Sequence, residues 1–347
     1  MQTMTDEMTD DSIKRAQIQR AGRRVALLAG AAVVVAPLAA WAQTSGGSAP
    51  AQPGTLRLIV PFTPGTGIDI VARTVGPKLG ERLGRSVVVD NRAGASGNIG
   101  TEAVVRAAPN GQTLLVSVNT LVMNRSLYPQ LPFDPVKDLV PVTLTSWGQL
   151  LLVTHPGSGY KTAAELIAAA KAKPGRLNYA SPGVGTPHHL SMELLKTTAG
   201  VFLTHIPYRG TGPALTDMLG GQVEAMFLPI HVALPHLRTG RLVALGIGSD
   251  KRHALLPQVP TLSEARVGNV NVAMWFGIFA PPGTPPELIA RYNAELRDIL
   301  RSPEVQTAFQ AQGMDPASST PEEFRKLVEQ DADRWAQVIR TQNIKPE

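Results

Sequence analysis

Apolar positions along this chain follow two spacings in alternation, and the first clear instance organises the rest. Leu56 to Val60 is an apolar run of strand length, closed by Pro61-Phe62-Thr63-Pro64-Gly65-Thr66-Gly67, a cluster too rich in Pro and Gly to extend it. Ile68, Val71, Ala72, Val75 and Leu79 then recur at helical spacing. A kink or an early end is expected at Gly76-Pro77, because proline lacks an N–H and crowds the preceding turn. Strands are predicted next over 86–90 and 113–118, separated by a glycine-rich loop over 91–100 and a helix over 101–107. Residues 128–141 are Pro-rich and read as irregular and superficial.

A second series repeats this architecture. Strands are predicted over 150–154, 177–180, 202–207, 223–228 and 242–247, with helices over 163–171, 188–198, 213–219 and 232–238. A strand over 275–280 precedes helices from Pro285 to Leu300, over 304–312 and over 321–340. Strand–helix alternation of this kind predicts an α/β protein with parallel sheets.

The chemistry sits where strands turn into helices. Backbone N–H groups at a helix start have no intrahelical partner, and the helix dipole adds positive potential there, so such a loop suits an anion. The Gly65-Thr66-Gly67 loop is one case. Ser181-Pro182-Gly183-Val184-Gly185-Thr186 is another, with Thr186 as N-cap and Pro187 at the first helical position. Tyr208-Arg209-Gly210-Thr211-Gly212 is a third, with Pro213 opening its helix. Ligands of open α/β sheets sit at the carboxyl ends of strands, so two domains face to face would bring these loops across one cleft. Asp69, in the first helical turn, either complements the dipole or meets the ligand's edge.

Other motifs carry less. Gly65-Thr66-Gly67 begins a GxGxxG pattern that fails at Ile70, there is no GxxxxGK[ST] loop, and Ser96 misses the GxSxG elbow by one place and reads as a turn residue. His188 and His189 are adjacent on a helix, pointing about 100° apart, and read as one local hydrogen bond and one packed or exposed ring. His231 and His236 read as surface, and Trp275-Phe276 as core first, cleft wall second. No nucleophile with a base at suitable spacing is visible, so no catalytic group, cofactor or metal site is expected.

Composition narrows the class. The 347 residues carry a formal net charge of +6 with no cysteine, which excludes disulfides and thiolate chemistry. The charge is dispersed and no Lys/Arg block is interleaved with aromatics, against a nucleic-acid partner. Lys14, Arg15, Arg20, Arg23 and Arg24 precede an apolar run from Val25 to Leu38 and the small-x-small site Ala40-Trp41-Ala42, the pattern of a secretory signal over 1–42. The surroundings of Arg23-Arg24 fit the twin-arginine route poorly, so the Sec route is expected, with Met4 or Met8 as alternative starts. Residues 43–54 are small and polar and read as a flexible leader to a periplasmic protein.

The motifs together resemble a known family. VPFTPGTGIDIVAR (from Val60), VVVDNRAGASGNIG (Val87 to Gly100), LYPQLPFDPVKDLVPV (Leu127 to Val142), LNYASPGVGTPHHLSMELLK (Leu177 to Lys196), HIPYRGTGPALTDMLGGQVEAMF (His205 to Phe227) and WFGIFAPPGTP (from Trp275) resemble, in order, the substrate-binding proteins of tripartite tricarboxylate transporters, the Bug family of periplasmic receptors. The resemblance implies a two-domain type II periplasmic-binding-protein fold, a Venus flytrap hinged around a ligand cleft. Its domains would be 55–147 with 267–347, and 148–266. It implies a small organic acid as ligand (a di- or tricarboxylate, an amino acid or an aromatic acid), membrane permease subunits as partners and a monomeric, non-enzymatic receptor. Carried over by position, the ligand would meet Phe62, Gly65, Thr66, Gly67, Ile68, Asp69, Asn119, Thr120, Ser181, Gly183, Gly185, Thr186, Tyr208 and Thr211. Thr66 and Ile68 depart from the family's usual Gly and polar residue, and Pro77 is unusual. The alternatives are an extracytoplasmic sensor for a two-component system and a secreted hydrolase.

Overall fold

The computed structural model describes residues 54–341 and 343–345; the expected export signal and most of the leader lie outside the described residues. In chain order the strands are β1 (Leu56–Val60), β2 (Val87–Asn91), β3 (Thr113–Val118), β4 (Val140–Gly148), β5 (Leu150–Thr154), β6 (Asn178–Ser181), β7 (Thr204–Pro207), β8 (Ala225–Pro229), β9 (Val243–Ile247), β10 (Met274–Ala280) and β11 (Met314–Pro316). The helices are α1 (Gly67–Leu83), α2 (Asn98–Val105), α3 (Thr120–Leu127), α4 (Ala163–Ala172), α5 (Pro187–Ala199), α6 (Thr211–Leu219), α7 (Ile230–Arg238), α8 (Pro286–Arg301), α9 (Pro303–Ala311) and α10 (Pro321–Thr341). No described helix is long and apolar enough to cross a membrane.

Two sheets result, in the orders β11-β4-β10-β3-β1-β2 and β7-β6-β8-β5-β9. They are mixed rather than purely parallel. β2, β1 and β3 run parallel, as do β7, β6 and β8, while β10, β4 and β5, β9 join antiparallel. The antiparallel members follow from the connectivity. The chain leaves the first sheet after β4, enters the second through β5, and returns after β9 through β10. Each sheet therefore receives one strand that arrives from the other, and that strand runs against its parallel neighbours.

Burial explains the unbroken apolar strands. Leu150 and Leu152 of β5 enter one core cluster and Leu151 and Val153 another, so the second sheet is covered on both faces. In the first sheet Leu56, Leu58, Val60, Leu114 and Val116 are fully buried. α10 is anchored on β10 by Trp275, whose Nε1 donates to the buried Asp331 Oδ2 at 2.8 Å. Asn293 of α8 donates to the carbonyls of Val142 and Ser319, both at 2.8 Å, tying the C-terminal segment to β4.

Two sequence expectations are corrected, and one strand is added. α1 does not end at Gly76-Pro77 but runs through to Leu83, closed by a left-handed Gly84. Its buried face of Val71, Val75 and Leu79 spans the proline, so packing outweighs the local penalty of about 3 kcal/mol. β4 was hidden because VPVTLTSWG mixes Thr and Ser with apolar residues and carries Pro141; the ladder shifts register beside that proline, which accommodates it. α6 begins at Thr211, two residues ahead of Pro213, because Gly210 supplies the cap position with φ 113°.

Gly277 of β10 is a packing requirement. A Cβ there would lie 2.0 Å from Phe324 Cζ, whose ring stacks obliquely on Phe279 and edge-on to Trp275. Gly277→Ala is expected to destabilise the protein by about 1–3 kcal/mol through overpacking. Urea unfolding reads this directly, and an unchanged midpoint would remove the packing argument.

Candidate functional site

The parallel strands end on one cavity. β1 and β3 of the first sheet lead into α1 and α3; β6, β7 and β8 of the second lead into α5, α6 and α7. All five helix starts reach the wall. Thr66, Gly67 and Ile68 come from α1, Thr120 from α3, Thr186, Pro187 and His188 from α5, Thr211 from α6, and Pro229, His231 and Val232 from α7. Phe62, Val118, Pro182, Met274 and Phe276 complete it.

The electrostatics of this wall come from backbone. Its residues include no Lys, Arg, Asp or Glu. Four of the five helices start without a side-chain cap: α1 at Thr66, α3 at Asn119, α6 at Gly210 and α7 at Pro229. Thr66 instead turns its hydroxyl back to donate to Thr63 O at 3.0 Å. Apart from Ile230 N of α7, which donates to Gln149 O at 3.4 Å, first-turn N–H groups are therefore left for a ligand, and each helix contributes roughly half a positive charge at this end. An anion can be held here without a cationic side chain.

Asp69 fixes the first loop from behind. Its Oδ2 accepts from Gly65 N and from Arg73 Nε, both at 2.9 Å, and its Oδ1 accepts from Asn91 Nδ2 at 3.0 Å. Asn91 Nδ2 also donates to Phe62 O at 3.1 Å. Burial, the largest influence, raises the Asp69 pKa, but the bonds from Arg73, Gly65 and Asn91 together outweigh it and hold the carboxyl below its ordinary 3.8. Both oxygens are occupied by protein groups, and Asp69 is not on the cavity wall.

The second loop is fixed by aromatic stacking. The rings of Tyr179, His205 and His189 stack, with centroids 4.7 Å and 4.2 Å apart. His189 Nδ1 accepts from Gly185 N at 3.1 Å, and Ser181 Oγ lies 2.7 Å from His205 Nε2. Tyr179 OH and Lys196 Nζ both meet Glu193 Oε1 beside them. Burial lowers the pKa of His205 to about 3 and of His189 to about 4, so both rings stay neutral. The Ser181–His205 contact is a hydroxyl–imidazole pair that the sequence did not disclose, since the partners come from neighbouring strands. Ser181 is fully buried, exchanges bonds with Gly183 N and O at 3.2 Å and 3.1 Å, and lies off the cavity wall. Its hydroxyl braces the loop.

Of the residues expected at the ligand, the structure brings Phe62, Thr66, Gly67, Ile68, Thr120, Thr186 and Thr211 to the wall. The others support them. Gly65 is tied to Asp69, Ser181, Gly183 and Gly185 shape the second loop, and Asn119 Nδ2 donates to Ala273 O at 3.0 Å. Tyr208 lines an adjoining outer recess with Gly183, its hydroxyl donating to Asp217 at 2.7 Å and its pKa raised to about 12 by burial and that bond. Thr186 is a working N-cap, accepting from His189 N at 3.4 Å and donating to Gly183 O at 2.8 Å. Ser96, read as a turn residue, does sit in a turn at φ 51°, and its hydroxyl also donates to Val184 O at 2.8 Å, across from the second loop.

One histidine reading needs correction. His231 is not a surface residue: its Nε2 is buried without a partner on the cavity wall, in the first turn of α7. His188 faces the same cavity with both ring nitrogens buried and unpartnered, while His189 makes the local bond. Burial, then the neighbouring His231, lowers the His188 pKa to about 3, and burial lowers that of His231 to about 4. Applying the strand-to-helix rule to β8 and α7 would have found His231. Trp275 is core and Phe276 is wall, although they are adjacent, because strand neighbours face opposite sides.

A pair of α/β sheets joined by two crossings, with helix starts from both around one cavity, defines a solute-binding receptor of the periplasmic type. Residues 71–344 match the family described as the tripartite tricarboxylate transporter family receptor, and the chain belongs to that family. It is 39% identical over 321 residues to Protein BugT of Bordetella pertussis, covering 92% of this chain and 98% of BugT. Among solved structures, R. palustris Rpa4515 with adipate is similar at a TM-score of 0.82 and 33% identity, covering 85% of this chain and 99% of that one. MatC from Rhodopseudomonas palustris, with bound malate, is similar at a TM-score of 0.76 and 32% identity, covering 82% and 98%. The periplasmic binding protein BugD is similar at a TM-score of 0.80 and 29% identity, covering 85% of this chain and 100% of that one.

Asp69→Asn tests the loop lock. The Asp69 pKa is lowered on folding, so its stabilisation is full above the unfolded value and is lost as pH falls through the lower folded one. At neutral pH the variant should be less stable by about 1–3 kcal/mol. The gap should close as pH falls below about 3.8. Thermal unfolding across pH checks both parts, and a gap independent of pH would assign the effect to something other than the carboxylate.

Proposed function

We propose that this protein captures a small carboxylate between its two sheets and presents it to the membrane permease of a tripartite tricarboxylate transporter. The observation that carries this reading is the ring of five helix starts around a cavity with no cationic side chain. Charge-assisted hydrogen bonds from such groups are worth about 1.5–3 kcal/mol each. Three or four of them hold a carboxylate at roughly micromolar strength after ordering costs. The adipate and malate bound by two similar receptors support the ligand class.

The proposed lobes are 55–147 with 267–347, and 148–266. The two crossings lie side by side: Met274 pairs with Gly148, and Gly248 N donates to Leu150 O at 2.9 Å. Bending at both would open the cleft as a hinge. Contacts across the cleft support a closed arrangement here. Ser96 bonds to Val184, and Gly185, at φ 78°, sits where a Cβ would lie 2.4 Å from Leu127 Cδ1. The ligand would favour closure by touching both lobes at once. No covalent step is required, and the buried Ser181 hydroxyl does not favour hydrolysis.

A thermal-shift screen of mono-, di- and tricarboxylates, amino acids and aromatic acids against their neutral amides tests the reading. At least one acid should stabilise the protein, by about 2.7 kcal/mol at a hundredfold excess over Kd. Stabilisation by neutral compounds alone, or by none of the acids, would contradict it.

A further inference from the structure

The carboxylate reading leaves part of the cavity unexplained. His188 and His231 occupy the second helical positions of α5 and α7, two helices of the second sheet, and both face the space in front of α1. His231 Cε1 lies 3.2 Å from the point a Cβ on Gly67 would occupy, so its ring edge abuts the start of α1. Three of their ring nitrogens, His188 Nδ1 and Nε2 and His231 Nε2, are sealed from solvent without a hydrogen-bond partner. Buried polar atoms left unpaired are costly, and most native proteins satisfy them. Both rings belong to the wall of the cavity, so a ligand group entering it is the natural partner for their unpaired nitrogens.

We propose that His188 and His231 form a second polar subsite that selects carboxylates carrying a neutral donor–acceptor group, a hydroxyl or primary amide, over unsubstituted and dianionic analogues. The proposal rests on the carboxylate reading of the helix starts. A neutral imidazole offers one N–H donor and one lone-pair acceptor. A hydroxyl or an amide can meet both kinds of site. A second carboxylate can only accept, so it could meet the imidazole N–H groups but would leave the lone pairs unmet, and no Lys or Arg on the wall would offset its charge. An alkyl end would leave the nitrogens unpaired. The lowered pKa values of both rings, caused chiefly by burial, fit a neutral pair at the pH of the periplasm.

Isothermal titration calorimetry on the protein tests this with straight-chain acids from butanoate to hexanoate, their ω-hydroxy derivatives and the α,ω-dicarboxylates of matching length. The hydroxy acid of the best-fitting length should bind roughly tenfold tighter than its alkyl parent, the equivalent of one or two hydrogen bonds. It should also bind tighter than the dicarboxylate. The hydroxy-to-alkyl preference should vanish in His188→Phe and His231→Phe and survive in part in His188→Asn, which keeps a donor and an acceptor. Should either Phe variant fail to fold, the wild-type preference and its retention in His188→Asn decide. Equal binding of hydroxy and alkyl acids, a dicarboxylate as the tightest ligand, or a preference unchanged in both Phe variants would overturn the subsite while leaving the carboxylate reading intact. Failure of every acid to bind would remove both.

Discussion

The proposed function turns on one constraint, the holding of a negative charge in a largely apolar cavity that offers no cationic side chain. Fixed backbone dipoles solve it only if several helices start at one place and stay there. Such groups need no counter-ion of their own and no side-chain reorganisation when the ligand arrives. Their drawback is short range: the effect falls off within the first turn, so the loops before each helix must be rigid. Asp69 supplies that rigidity to the first loop by accepting from Gly65, Arg73 and Asn91 at once. The Tyr179–His205–His189 stack supplies it to the second. Neither device touches the cavity, and both are buried behind it.

The topology delivers the five starts together. In each sheet three parallel strands carry their carboxyl ends to one edge, and the helices that follow β1, β3, β6, β7 and β8 start there. The strand that each sheet receives from the other, β5 or β10, joins antiparallel beside them and keeps the two edges opposed. Met274 and Phe276 of β10 form part of the wall, so the returning strand both joins the halves and shapes the site. Phe62 and Pro182 line both the cavity and the outer recess, which makes them the partition between the two spaces.

Much of the fold was legible because strands such as 113–118 and 150–154 carry continuous apolar runs bounded by turn residues, and both lie where expected. β4 was not legible, since its Thr and Ser residues are buried by side-chain bonds, such as Thr145 Oγ1 to Phe276 O, that a hydropathy pattern does not register. The mixed strand directions depend on which sheet β5 and β10 join, a long-range choice invisible in local spacing. At the site, the helix-start loops were found from Gly, Thr and Pro placement, and Thr66 and Ile68, the two departures from the family pattern, do stand on the cavity wall. His231 escaped because the β8–α7 junction, marked by Pro229 alone, lacks the Gly and Thr residues that distinguish the other helix-start loops. The division of labour within the loop, with Asp69 behind and Gly67 in front, is set by helix phase and only the three-dimensional arrangement reveals it.

The central claim, that free amides at the helix starts receive the ligand's carboxylate, is tested most directly by amide proton and nitrogen NMR shifts during titration with the acid that most stabilises the protein. The account predicts the largest downfield amide-proton shifts at Gly67, Ile68, Thr211 and Gly212, with the Gly65 amide, already bonded to Asp69, little changed. Saturable binding that leaves the first-turn amides of α1 and α6 unshifted would contradict it.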